Sequence, residues 1–397
     1  MSDLDKLLEE RAARGSNAIH GFVAAAVDKN GKELFFKTAG YNGVGPDAPA
    51  VKADATYWIA SCSKLLGTIA ALQCVERGQI TLDEPVERIL PEIADLGVLV
   101  PPKDGAAFDP SFATTPATKK ITLRNLLCHN SGLAYDLFHP TIAAWRESRG
   151  ETPQGLTGFA TKPHTVPLLY EPGDGWTYSG GIDWAGLAVA RLNKTTLEEY
   201  LQENIFKPLG ITSTTFRLEK RPDIKERLLK TVERQADGTL KEIPKPWPDY
   251  AEEDCCGAGI YSTVGDYLKV LGDLVKDQPT LLSKDIVEKE MFRPQLAAGS
   301  NAMKGIEAAA PMMATMTGTT ETTGLNWGIG GIYTEEDVGA YPKASLGWGG
   351  LPNLVWVANR ERGVAAFFAT QVLPLGDSQA GELAVKVLGE AFRLASS

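Results

Sequence analysis

Strand-forming runs lie at the two ends of this 397-residue chain, and that separation limits its fold more than any other feature. Near the start, residues 18–27 and 33–38 read as strands. They are joined by Asp28-Lys29-Asn30-Gly31-Lys32, whose Asn-Gly pair is a strong hairpin signal. Near the end, residues 327–333, 344–348, 354–359 and 364–370 read as further strands, and a last helix over 376–394 follows. No internal repeat or low-complexity linker divides the chain, so the pattern predicts one domain with a helical insertion.

The insertion opens on Tyr57-Trp58-Ile59-Ala60-Ser61-Cys62-Ser63-Lys64. Apolar Leu65, Ile69, Leu72 and Val75 recur at helical spacing, which predicts a helix to about Gly78 with Ser61 at or just before its start. Ser61 and Lys64 then lie one turn apart on one face. A serine hydroxyl is a poor nucleophile at neutral pH, and a neutral amine beside it is one way to take its proton. Lysine, with an ordinary pKa of about 10.4, serves as that base only where burial, a cation or a helix N-terminus lowers the value. By chance a chain of this size contains about one S-x-x-K, and this is its only one, so the motif needs company.

Residues 3–14 read as a short helix. From 81 to about 210 the pattern is mainly helical, broken by Pro/Gly loops, with a short helix over 121–129 ended by Asn130-Ser131-Gly132. Residues 134–170 are polar and aromatic with weak periodicity, as in a lid. The tight loop Glu171-Pro172-Gly173-Asp174-Gly175-Trp176-Thr177-Tyr178 leads into an amphipathic helix through Leu192, which places Tyr178 just ahead of a helix. Residues 211–254 are charged and mixed, with Pro244, Pro246 and Pro248 marking an extended excursion, and a helix over 264–275 follows.

Four stretches occur in a telling order: Ser61-Cys62-Ser63-Lys64, His129-Asn130-Ser131-Gly132-Leu133, Glu171-Pro172-Gly173 running into Tyr178-Ser179, and Trp348-Gly349-Gly350. Together they resemble the serine β-lactamase-like superfamily, especially its branch of class C enzymes, family VIII esterases and fungal transesterases, over residues 18–394. The resemblance implies an α/β (α+β) fold whose antiparallel sheet combines N- and C-terminal strands flanked by helices, with a large, mainly helical insertion. It divides the chain into a sheet part, residues 1–57 with 255–397, and a mainly helical part with lid-like loops, residues 58–254.

The same resemblance implies an acyl-enzyme with Ser61 as nucleophile, Lys64 as its base partner and Tyr178 relaying the proton to and from the leaving group. Tyr178 must then sit beside Lys64, and the three groups would titrate as one unit. The oxyanion hole is expected from the backbone N–H of Ser61 and one at Gly350 or Leu351, where small Gly349 and Gly350 let substrate lie against the strand. Trp348 is expected as a stacking wall. Loop aromatics Tyr135, Phe138, Trp145, Trp247, Tyr250 and Trp327 are candidate walls of an acyl pocket.

Two departures bear on substrate. Tyr178-Ser179-Gly180 stands where β-lactamases commonly carry Tyr-x-Asn, and Trp348-Gly349-Gly350 where they carry Lys-Thr-Gly. The lost amide and cation point away from anionic lactams and towards neutral or apolar acyl groups. The donor is then a small-molecule ester or thioester, or a thioester on an acyl carrier protein, and the acceptor is water or an alcohol. β-Lactamase or D-amino-acid peptidase activity is the second reading, and an inactive ligand-binding relative the third.

Other chemistries are poorly supplied. The chain has no G-x-S-x-G, H-E-x-x-H or nucleotide-binding glycine motif, and its four histidines lack metal-ligand spacing, so no cofactor or metal is expected. His129, in its turn, reads as structural. A net charge of -10 without a basic run argues against nucleic acid or an anionic membrane surface, and an acidic carrier would need a local basic patch. The charged opening segment, the lack of any membrane-spanning run and five cysteines without a C-x-x-C pair lead us to expect a cytoplasmic protein.

Overall fold

The computed structural model describes residues 3–100, 112–318 and 323–396. Among these, the chain begins with helix α1 (Asp3–Arg11) and the hairpin β1 (Gly21–Asp28) and β2 (Glu33–Gly40). A short strand β3 (Thr56–Trp58) leads to helix α2 (Ser63–Glu76). Further on lie α3 (Leu123–Leu127), α4 (Gly181–Asn193), strand β4 (Tyr261–Thr263) and α5 (Val264–Val275). Strands β5 (Leu325–Gly328), β6 (Gly331–Thr334), β7 (Ser345–Gly350), β8 (Leu354–Asn359) and β9 (Val364–Ala369) precede the last helix, α6 (Ser378–Ala395).

The N- and C-terminal strands form one seven-stranded sheet in the order β2-β1-β9-β8-β7-β6-β5, with every neighbour antiparallel. The register Ala24↔Phe368 and Ala25↔Phe367 joins β1 to β9. Alternation sorts the sheet into two faces. Phe22, Ala24, Ala26, Ala366 and Phe368 pack with Leu383, Val387 and Leu388 of α6 and with Leu8 of α1. Val23, Ala25, Ala365 and Phe367 face the larger core shared with α2 and α5, where the Tyr267 and Phe367 rings lie 4.6 Å apart. Each fully buried large apolar side chain contributes about 2 kcal/mol.

Helix α2 runs through the interior, with every residue from Ser63 to Cys74 buried, as an apolar helix must be. It passes close to α4 and to Cys256 because Gly67 has no side chain: a Cβ there would lie 3.2 Å from Ile182 Cγ2 and 2.6 Å from Cys256 Sγ. Helix α5 has the predicted boundaries, set by Thr263, whose hydroxyl accepts from the Asp266 N–H at 3.1 Å.

Two expectations differ from what is observed. The run 327–333 is a hairpin of β5 and β6 turning at Ile329-Gly330, where φ is +118°. Residues 81–210 hold fewer helical residues than their pattern predicts: besides α3 and α4 there are Pro140–Glu147 and Leu197–Leu201, separated by long loops. Residues 101–111 of that run lie outside the described residues. Polar side chains stabilise these loops instead. The buried Arg146 guanidinium pairs with Asp136, donates to Glu151 Oε2 at 2.7 Å and to the Pro163 carbonyl at 2.6 Å.

Buried histidines give the fold a pH dependence. His20 Nε2 donates to the Lys230 carbonyl at 3.0 Å, yet burial outweighs this bond and nearby Glu242 and lowers its pKa from 6.5 to about 4. Burial lowers His129 and His139 as well, helped at His129 by the charge of Lys64. Between pH 6.5 and 4 the unfolded chain therefore binds the extra proton on His20, and stability falls as pH falls. His20 alone removes about 3 kcal/mol by pH 4. Thermal midpoints from pH 7 to pH 4.5 should drop less steeply in His20→Gln than in the wild type; parallel curves would exclude His20 as a cause.

Candidate active site

Strand β3 pairs with β4 through Trp58↔Tyr261, and the chain leaves it by an Ile59 N–H bond of 3.0 Å to the Ile260 carbonyl. Ala60 then takes φ +45°, a left-handed backbone that costs a non-glycine residue about 1–3 kcal/mol and is concentrated at functional sites. A 3-10 turn over Ala60–Cys62 follows, and α2 begins only at Ser63. The turn is anchored from two sides: Tyr267 Oη donates to the Cys62 carbonyl at 2.8 Å, and Ser63 Oγ accepts from Ile260 N–H at 3.1 Å. Ser61 is thereby placed, half-buried, on a cavity of about 220 Å³.

Lys64, three residues further on in α2, is 3% exposed. Its Nζ donates to the Gly257 carbonyl at 2.7 Å and sits 4.7 Å from the centre of the Tyr178 ring and 5.1 Å from that of Tyr135. Tyr178 Oη accepts from Trp348 Nε1 at 3.1 Å. Both rings are buried, so the indole bond aims the phenol from the side of β7.

The turn at His129 holds Tyr178 from the other side. With φ +56°, His129 accepts the Thr177 N–H on its carbonyl at 2.9 Å, and its Nδ1 accepts the Ser179 N–H at 3.3 Å. Nδ1 thus carries no proton, and Nε2–H is ringed by Trp176, Tyr178 and Trp327. A histidine so held, with its pKa pushed well down by burial, orders the tyrosine loop.

The cavity brings some of the aromatic candidates together and leaves others outside. Tyr135, Phe138 and Trp247 line it, and Trp247 stacks on Trp58 at 6.1 Å between centroids. Leu351 lines it at the end of β7. Gly350 approaches so closely that a Cβ would lie 2.6 Å from the Ile59 carbonyl, and one at Gly349 would lie 2.1 Å from that of Met316. Trp348 stands behind Tyr178 instead of facing the cavity, because its indole is committed to the phenol. Trp327 is likewise buried behind it, donating Nε1–H to the Leu127 carbonyl at 3.1 Å. Trp145 lies away from the cavity under the guanidiniums of Arg146 and Arg149, and Tyr250 is 57% exposed outside it.

Sequence reasoning did not single out Leu137, Leu156, Phe159, His164, Asp183 and Gly257, which also line the cavity. Asp183 had a usable signal, since it falls in the first turn of α4, five residues after Tyr178. His164 had none, because Lys162–His164 is an isolated turn in the lid-like stretch. Among the described residues no cluster of His, Cys, Asp and Glu is arranged to hold a metal ion. Among them, too, no helix is long and apolar enough to cross a membrane.

A serine on a strained turn at an apolar cavity, followed three residues on by a lysine buried against a tyrosine ring, thus accompanies an antiparallel sheet with helices on both faces. The chain belongs to the Beta-lactamase family, which it matches over residues 4–389. It is 36% identical to the acyltransferase calJ of Penicillium decumbens, over 95% of this chain and 94% of that one. It is 35% identical to the lovastatin esterase of Penicillium rubens, over 93% and 94%. Among solved structures, unliganded simvastatin synthase (LovD) of Aspergillus terreus superposes with a TM-score of 0.86 at 34% identity, covering 100% of this chain and 99% of that one. The chain is an enzyme of ester hydrolysis and acyl transfer.

Proposed function

We propose that Ser61 attacks a small, neutral or apolar ester or thioester, and that the acyl group then passes to a bulky apolar alcohol or to water. The observation that supports this is that Ser61 lines an apolar cavity while Lys64, three residues on, is buried against the Tyr178 ring. In the first step the Ser61 Oγ–carbon bond forms as the carbon–oxygen or carbon–sulfur bond of the donor breaks. The hydroxyl proton passes through Lys64 and Tyr178 to the leaving group. The Trp348 N–H stabilises negative charge developing on Tyr178 Oη.

Backbone N–H groups of Ser61 and of Gly350 or Leu351 receive the oxyanion, and only glycine at 350 lets β7 lie against the nucleophile turn. Exposed Leu137 and Phe138, at 40% and 46%, extend the apolar wall outward to receive the acceptor. A chain of net charge -10 repels an acidic carrier protein, which favours a small diffusible donor. Five free buried thiols suit a reducing, cytoplasmic setting. Residues 1–57 with 255–397, and residues 58–254, are the two parts between which the site lies.

Intact-protein mass after mixing with p-nitrophenyl butyrate tests this reading. An acyl adduct that maps to the Ser61 peptide and clears faster when an apolar alcohol is added is the expected result, with slow or no turnover of a β-lactam in parallel. Rapid β-lactam hydrolysis, or absence of both adduct and ester turnover, would overturn it.

A further inference from the structure

The cavity that Ser61 lines also holds an assembly that the proposed chemistry does not yet use. Asp183 is 2% exposed, although it sits in the first turn of α4, where an acid could favour the helix dipole from solvent. It is turned inward instead. Its Oδ1 accepts the Gly257 N–H at 2.7 Å, and its Oδ2 lies 3.3 Å from His164 Nε2 and 3.5 Å from Tyr135 Oη. Burial and the charge of Asp183 push the Tyr135 phenol well up, so it stays a proton donor.

Burying a carboxylate is costly unless its oxygens are met, and here the chain forgoes side chains at two positions to meet them. A Cβ at Gly257 would lie 2.1 Å from Asp183 Oδ2, and one at Gly180 would lie 2.2 Å from the His164 ring. The residue so fixed is the one whose carbonyl receives Lys64 Nζ at 2.7 Å. Gly257 thus presents its N–H to a carboxylate and, one Cα further on, its carbonyl to an amine, so that anchoring the first limits the direction of the second.

We infer that Asp183 is a positioning residue for Lys64: its carboxylate, held by His164, orients the Gly257 carbonyl and imposes negative charge on the environment of the lysine amine. This rests on the proposed role of Lys64 in moving the Ser61 proton. A dipole cap or a packing residue would leave the protonation behaviour of the centre untouched, whereas Asp183 sets it.

The test is the pH dependence of kcat and KM for p-nitrophenyl butyrate in wild type and Asp183→Asn. The amide oxygen of D183N still accepts the Gly257 N–H, so the fold is retained while the charge is lost. The kcat/KM profile should then move to lower pH by about one unit. Because a neutral amide holds the Gly257 N–H more weakly and aims its carbonyl less firmly, kcat on the plateau of the profile should fall about tenfold with KM within about twofold.

Asp183→Ser, which adds no bulk, is the second variant and should shift the profile in the same direction. A profile superimposable on wild type, a change confined to KM, or loss of fold in both variants overturns the assignment. Ser61→Ala measured alongside separates the two readings. Residual turnover there fails the acyl-enzyme itself, while an inert Ser61→Ala beside an unshifted Asp183→Asn fails the positioning role alone.

Discussion

Ser61→Ala is expected to lower ester turnover by about ten-thousandfold or more, with a thermal midpoint close to that of the wild type. The turn that carries the serine is held by backbone bonds of Ile59 and Cys62 and by the hydroxyls of Ser63 and Tyr267, none of which involves the Ser61 side chain. Substitute nucleophiles are close but inert. Cys62 adjoins the site, and burial raises its thiol pKa strongly, only partly opposed by the charge of Lys64. Cys255 lines the cavity, and burial together with the charge of Asp183 pushes its thiol well up too. Thiolate is therefore scarce at neutral pH, and no sulfur inherits the reaction. Initial rates with an activated ester, read beside a circular-dichroism melt, check the prediction; turnover within tenfold of wild type would remove Ser61 from the centre.

Tyr178→Phe should reduce kcat about a thousandfold, in the range lost with a general acid–base group, and change KM little. The ring keeps its contacts with His129 at 4.8 Å, Trp348 at 5.1 Å and Tyr135 at 5.3 Å between centroids. What disappears is one oxygen, and with it the acceptor for Trp348 Nε1. A buried N–H left unpaired costs about 1–3 kcal/mol, so the variant should melt a few degrees early. Adding Trp348→Phe removes the orphaned donor, at the expense of ring volume, so its destabilisation should be less than the sum of the two single changes. Turnover stays lost in the double variant. A cycle of the four proteins therefore separates the catalytic hydroxyl from its structural bond, and additive stabilities would show that the indole and phenol are not coupled.

Much of this centre could be read from the order of residues because its parts are local. Ser61 and Lys64 share one turn and the start of α2, Tyr178 precedes α4, and the α5 boundaries follow from Thr263 and an apolar stripe. Features that depend on distant partners were harder to read. Trp327, Trp145 and Tyr250 are aromatic candidates like Trp247, yet of the four only Trp247 lines the cavity, stacked on Trp58 in its wall. Trp348 gives no sign in sequence that its indole is committed to a tyrosine 170 residues away. Asp183 resembles any helix-start acid until Gly257 and His164 are brought to it. The loops of 81–210 are fixed by groups such as Arg146 and Glu253, the latter accepting the Thr161 N–H at 3.0 Å, which periodicity cannot register. The helices Asn301–Ala308 and Ala310–Thr317 also went unread.

The pairing of β1 with β9 sets a timetable for the nascent chain. Val23 must wait for Ala369, and the β7 end that closes on the nucleophile turn is itself made late. Contacts spanning nearly the whole chain form slowly, and partly made chains expose unpaired strand edges meanwhile. The N-terminal hairpin and α2 thus leave the ribosome as an apolar fragment with a serine but no strand to close against it. Such a fragment lacks the Gly350 edge that closes on the nucleophile turn, so the centre is complete only when synthesis is all but finished.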